Sequence, residues 1–175
     1  MAKMENILDI YSTSAVESIG RICFDERPCQ LLEDIYAPIP AQAGKIKLVD
    51  NEYERKGTCC LLLAYDIDTG QRYTIVSNTR TKKDYANFMD WIEKTHYSEK
   101  EKIIVIQDNL NTHSKGSFYE NLPLLRAGEL NRKMDFQFTP KHASWLNMAE
   151  IEFSSVSRQC LKRKIPTIEM MEKEV

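Results

Sequence analysis

The chain has 175 residues, 42% of them hydrophobic, and a formal net charge of −2. That length and apolar content suit one domain with a sizeable core and exclude wholesale disorder. The slightly acidic balance excludes an overall basic field for nucleic acid, so any DNA contact must come from local patches or from a separate module.

In chain order, Met4, Ile7, Leu8 and Tyr11 recur at helical spacing and predict a short helix over 3–12, followed by a polar connection to Gly20. Residues 20–25 read as a first strand, with Ile22 and Phe24 on one face and Cys23 and Asp25 on the other. From Pro28 to Arg55 the pattern is irregular, broken by Pro38, Pro40 and Gly44. Thr58 to Tyr65 and Arg72 to Ser77 then read as two strands of an antiparallel hairpin. Thr81 is placed to cap a helix carrying Tyr85, Phe88, Met89, Trp91 and Ile92.

Residues 102–107 form a continuous apolar run of the kind buried on both faces of a sheet. A helical region follows from Lys115 to Leu130 with a break expected at Pro123, and Met134 to Thr139 alternates as a strand. Residues 146–162 read as a helix ended by Pro166, and Thr167 opens a last, short helix that looks cut before its natural end. Three hairpin-linked strands followed by alternating helices and strands imply an α/β mixed five-stranded sheet with helices on both faces. The order resembles the ribonuclease H-like fold. It divides the chain into a linker helix and connection (1–19), a catalytic domain (20–164) and the start of a C-terminal helix (165–175).

Five cysteines, Cys23, Cys29, Cys59, Cys60 and Cys160, form no CxxC pair and lack zinc-site spacing. Their odd count and the lack of an apolar leader point to reduced thiols in a cytoplasmic protein. No apolar run approaches the ~18 residues needed to cross a membrane.

Three acids stand out. Asp25 and Asp108 each end an apolar strand-like run, and Glu150 opens an amphipathic stretch. A carboxylate at the end of a buried strand is costly unless its charge is met, and a divalent metal is the usual reason for several to converge. Paired metal ions suit phosphodiester chemistry, because they stabilise both the attacking and the leaving oxygen. Duller roles exist for each acid: backbone hydrogen bonding for Asp25, an Asx turn for Asp108, a solvated helix position for Glu150. Glu26 falls on the face opposite Asp25, so the pair cannot serve one site together. Periodicity leaves Glu150 and Glu152 equally far from the centre of the stripe Leu146, Ala149, Phe153, Val156, Cys160, on opposite flanks.

The segments Asp108-Asn109-Leu110-Asn111-Thr112-His113 and Thr139-Pro140-Lys141-His142-Ala143-Ser144-Trp145-Leu146-Asn147-Met148-Ala149-Glu150-Ile151-Glu152 resemble the signature segments of DDE transposases. The likeness is to the mariner-like superfamily in its bacterial insertion-sequence branch. Phe24-Asp25-Glu26 followed by Pro28 is similar to that branch's first acidic motif. The resemblance implies a ribonuclease H-like catalytic domain in which Asp25, Asp108 and Glu150 are the catalytic residues and bind Mg2+, with Mn2+ able to substitute. It selects Glu150 over Glu152, because the family's glutamate follows Leu-Asn after two intervening residues. It further implies cleavage at transposon ends and transfer of the freed 3′-hydroxyl to target DNA by a homodimer on paired ends. The span from Asp108 to Glu150 exceeds the spacing common in the superfamily, and the polar stretch Glu120 to Arg132 can hold the excess. The family's N-terminal helix-turn-helix is not in this sequence. The expectation is therefore a split-gene product or decayed copy whose end recognition lies in a separate frame or a missing N-terminus.

Around these acids, His142, Trp145 and the basic cluster Arg158, Lys162, Arg163 and Lys164 are candidate DNA contacts, with Lys141, Arg27, Lys82 and Lys83 weaker ones of the same kind. Trp145 suits either stacking on a base or hydrophobic anchoring, and the basic group after Glu150 equally suits a solvated helix end. Asn109, Asn111, His113 and Asn147 are candidates to orient loops or ligands, with His113 and His142 near enough in sequence to approach a scissile phosphate. Two other readings compete. One is an inactive remnant acting solely as a DNA- or protein-binding module; the other is a ribonuclease H-like nuclease acting on hybrids or junctions.

Overall fold

The computed structural model describes residues 2–175. Helix α1 (Ala2–Ser12) precedes β1 (Ile19–Asp34), β2 (Tyr53–Asp66) and β3 (Arg72–Ser77). Then come α2 (Lys82–His96), β4 (Lys102–Gln107), α3 (Lys115–Asn121), α4 (Leu124–Lys133), β5 (Met134–Phe138), α5 (Met148–Gln159) and α6 (Ile168–Glu174). One sheet runs β3-β2-β1-β4-β5, antiparallel through β1, β2 and β3 and parallel from β1 through β4 to β5.

Strand alternation builds two cores. Ile22, Phe24, Leu62, Ala64, Ile103 and Val105 face α2, α3 and α4, whereas Cys23, Leu61, Leu63 and Ile106 face α1, α5 and α6. The mixed five-stranded sheet with helices on both faces is thus present as the element order implied. α1 joins the second core through Ile7, which is fully buried. Arg21 ties that helix to the β2–β3 turn: it donates to the carbonyls of Ile10 (2.6 Å) and Thr13 (2.7 Å) and pairs with Asp68. Thr81 caps α2 in a reciprocal box with Asp84, and Pro123 divides α3 from α4. Among the described residues no helix is long and apolar enough to cross a membrane.

Two expectations need correction. β1 does not stop at Asp25, nor is 28–55 irregular throughout. β1 and β2 continue together as a ribbon to Asp34 and Tyr53, leaving 35–52 as the irregular part. β4 accompanies β1 only as far as Cys23, so beyond it one edge of β1 is free of a partner strand and tolerates Pro28. The helix expected over 146–162 is instead a short 3-10 turn (Ser144–Leu146), a new start capped by Asn147, and an end at Gln159. The chain turns away there so that Ile165 can enter the second core and its carbonyl can accept the Leu32 N–H at 2.9 Å. Of the basic group after Glu150, therefore, only Arg158 lies on α5.

Gly20 shows how closely α2 sits on the sheet. A Cβ there would lie 2.5 Å from Cδ1 of Tyr97, a buried ring whose hydroxyl donates to Asp66 at 2.6 Å. We expect Gly20→Ala to lower stability by about 1–3 kcal/mol through overpacking, read as a reduced urea midpoint at unchanged slope.

Candidate active site

The acids line one cleft where β1 outruns β4. Asp25 lies two residues beyond the last β1–β4 pair, Cys23 with Ile106, and Asp108 immediately follows β4. α5 crosses this end of the sheet. Asn147 sets its start, because its side chain accepts from the Ala149 N–H (3.2 Å) and donates to the Phe24 carbonyl (2.9 Å). One side chain thereby caps the helix and fastens it to the strand residue before Asp25, which delivers Glu150 in the first turn.

A cleft of about 520 Å3 results, lined by Asp25, Asp108 and Glu150 together with Arg27, Thr139 and Asn147, among others. α5 contributes Glu150, Phe153, Ser154 and Ser157 to it, a stripe at helical spacing. Glu152 lies on the other flank. There, Arg72 of β3 approaches its carboxylate at 3.8 Å and also donates to Gln159 at 3.1 Å. Helix periodicity had left these two glutamates equivalent; the neighbouring strand distinguishes them.

Each aspartate is held by one oxygen. Asp25 Oδ1 accepts the Glu26 N–H at 2.8 Å, and Asp108 Oδ1 accepts the Leu110 N–H at 3.2 Å. His113 Nδ1 lies 2.6 Å from the same Asp108 oxygen, an ion-pair contact off the hydrogen-bond axis, while its Nε2 contacts Glu26 Oε2. Burial alone would lower the His113 pKa, but Asp108 and Glu26 outweigh it and push it up to about 9. The His113 imidazolium in turn holds Asp108 below its ordinary value. Asp25 moves the other way, to about 7, through burial first and then through the facing charges of Asp108 and Glu150.

The donor set fits a hard divalent cation. Asp25, Asp108 and Glu150 line one water-accessible cleft to which Glu26 also contributes, and the Arg27 guanidinium within it donates to the Ser157 hydroxyl at 2.5 Å. The acids form walls rather than a closed cage: among the described residues no three His, Cys, Asp or Glu side chains are already gathered around one point. Such an open wall suits an ion that keeps several of its waters.

The remaining candidates separate. Lys141, His142 and Asn109 line a second cavity of about 470 Å3, which shares Asp108, Thr139 and Ser144 with the acidic cleft. His142 adopts a positive φ of 66° there. Trp145 is 64% exposed and lines a different cavity, with Leu8, Tyr11 and Met148, between α1 and α5. Asn111, Arg158, Lys162 and Arg163 line neither cavity at the acids, and Arg163 pairs with Glu174. Lys164 is committed to structure, contacting Asp34 at 2.6 Å and donating to the carbonyls of Asp50 and Glu52 at 2.9 Å. His113 is buried, so it holds the loop rather than reaching a phosphate. Sequence reasoning missed the link from Glu26 to Asp108, since strand alternation says nothing of a loop that folds back beneath both.

Asp25 gives a testable pH dependence. Its folded value of about 7 exceeds the ordinary 3.8, so the folded state holds the proton more tightly and ionisation costs stability as pH rises between those values. Metal-free Asp25→Asn is therefore expected to melt above the wild type at pH 7–8, with the gap closing toward pH 4. Parallel thermal melts across that range check it; a gap independent of pH would contradict the assignment.

The DDE superfamily endonuclease family model matches residues 21–172. No match was found among curated proteins. Among solved structures, the chain is similar to the Mos1 mariner paired-end complex with Mn (TM-score 0.64, 13% identity) over 98% of this chain and 51% of that one. It is likewise similar to the Mos1 transposase paired-end complex with left transposon end (0.65, 14%, with the same coverages). A pre-cleavage Mos1 transpososome matches at 0.65 and 14%, over 98% of this chain and 51% of that chain. The chain spans about half the length of these structures, and the likeness carries its ribonuclease H-like fold. With most of its length matched by the family model, this chain belongs to the DDE superfamily endonucleases.

Proposed function

We propose that this chain is the catalytic domain of a DNA transposase of the bacterial insertion-sequence branch, cleaving DNA at transposon ends and transferring the strand to target DNA. The observation that carries the reading is the convergence of Asp25, Asp108 and Glu150, from β1, the end of β4 and the first turn of α5, on one cleft. These three would hold Mg2+, with Mn2+ as a substitute. Bound there, the ions would activate the attacking oxygen and stabilise the leaving one. Support for a divalent ion comes from the all-oxygen donor set, and the Mos1 complex with Mn is consistent with it.

The protein's own part is positioning. Asp25 and Asp108 are each anchored through one oxygen, and Asn147 fixes the turn that carries Glu150. Arg27 at the cleft, and Lys141 and His142 in the adjoining cavity, supply cationic and polar groups for a DNA backbone drawn toward the acids. Trp145, Arg158, Lys162 and Arg163 line neither cavity at the acids, and in this reading they would meet DNA beyond the scissile bond. A homodimer on paired ends, and a helix-turn-helix region in a separate chain or segment, complete the assembly in this reading.

The test uses duplex DNA bearing candidate terminal repeats, with an RNA–DNA hybrid as the competing substrate. Nicking of the duplex should require Mg2+ or Mn2+. Asp108→Ala and Glu150→Gln should each reduce it by on the order of 10²–10³ or more, the scale seen on removing one charge-stabilising group. Glu152→Gln, which disturbs only the Arg72 contact, should retain it. Metal-independent nicking, preference for the hybrid, or equal loss in Glu150→Gln and Glu152→Gln would each count against the proposal. A wild type whose thermal stability ignores both metals would favour an inactive remnant.

A further inference from the structure

At the edge of the cleft, next to half-exposed Asp108, lies a buried acid, Glu26, that the proposed chemistry does not use. The Glu26 side chain is 3% exposed and that of His113 1%, so neither can serve as a surface ion pair. The histidine ring stacks on Tyr85 (centroids 5.0 Å apart) and meets Phe24 edge-on at 5.2 Å. Its backbone is fixed as well: its N–H donates to the Leu110 carbonyl at 2.9 Å and its carbonyl accepts from Gln107 at 3.3 Å. Gln107 is itself held by the Tyr85 hydroxyl at 2.9 Å. The loop after β4 is thus folded back so that His113 returns beneath Asp108, with one ring nitrogen on each carboxylate.

We propose that the Glu26–His113 pair is a positioning device for Asp108, holding Oδ1 against the protein so that the other oxygen faces the cleft. Three observations converge on it. His113 Nδ1 and the Leu110 N–H approach the same Asp108 oxygen. Glu26 is buried at a site where an apolar residue would cost less, and His113 is its close partner, with Arg80 at 3.8 Å from the other oxygen. Glu26 also touches the first aspartate, because its N–H donates to Asp25 Oδ1. One residue of β1 therefore anchors both aspartates, Asp25 through its backbone and Asp108 through its side chain and the histidine. Without such an anchor, Asp108 would rotate away from Asp25 and Glu150, whose like charges repel it. The inference rests on reading Asp108 as a metal ligand, and it assigns His113 a task other than contact with DNA.

The double variant Glu26→Leu/His113→Phe tests it, since both charges leave together and the stacked ring is kept. Two measurements on the metal-free or Mn2+-titrated 175-residue chain decide the matter. Side-chain couplings by NMR should show Asp108 in one rotamer in the wild type and averaged in the double variant. Mn2+ binding followed by electron paramagnetic resonance should weaken by about tenfold or more, as for loss of a group orienting a ligand. Glu26→Gln, which keeps an acceptor for the ring, should preserve both readouts. If the double variant loses its cooperative melt, Glu26→Ala with His113 retained carries the same comparison. An unchanged Asp108 rotamer, or unchanged Mn2+ affinity in a series whose wild type binds, overturns the proposal. A wild type that fixes Asp108 yet ignores Mn2+ would instead sink the metal-site reading and leave the positioning role standing.

Discussion

Like-charge repulsion is the constraint around which this end of the molecule is organised. Asp25, Asp108 and Glu150 line one partly buried cleft, where their mutual repulsion is screened less than at an open surface. The fold brings them together through contacts remote from the charges themselves. The second core seats α5 on the sheet through Ala149, Phe153 and Val156, and Asn147 fastens that helix to the Phe24 carbonyl. Burial of those apolar groups is the source of stability against which the carboxylates are held. Such an arrangement is expected where electrostatic strain serves function rather than the fold.

The three acids do not share the repulsion equally. Asp108 is relieved by His113, which keeps it ionised. Glu150 stands in the first turn of α5, where the positive end of the helix dipole offsets part of the repulsion. Asp25 has one backbone N–H in compensation, faces both other acids, and is raised to about 7. Burial and neighbouring charge therefore concentrate on the residue nearest the middle of the sheet. A dication entering the cleft would relieve Asp25 most, so binding there would couple to loss of its proton near neutrality.

Much of this was legible in the residues, and the exceptions have physical causes. The bounds of β3 and β4 and the break at Pro123 follow from short, strongly patterned segments with clear punctuation. β1 reads too short in the sequence because Pro28 and the scattered charges after it look like a loop, and the absence of β4 beside that stretch is a tertiary fact. Helix periodicity placed Glu150 and Glu152 on opposite flanks of α5. Which flank faces the acids depends on Arg72 and on the path of β1, so the family resemblance chose between them where geometry on one helix was silent.

Glu26 is the more instructive case. Alternation along β1 sends consecutive acids to opposite faces, and on that ground it separates Asp25 from Glu26. The Glu26 carboxylate does turn to His113, whose ring packs on Phe24 and Tyr85, but both Asp25 and Glu26 line the one cleft, so the separation is incomplete. β4 ends short of this point: with β2 alone beside β1 here, the loop from Asp108 to His113 wraps around the end of β4 and carries a bridging ring from one face to the other. Parity governs which way a side chain points from a strand; it does not keep two faces apart once the strand has lost its neighbour on one edge. At the end of β4, both members of the adjacent acidic pair are thus within reach of Asp108, Asp25 across the cleft and Glu26 through the His113 ring.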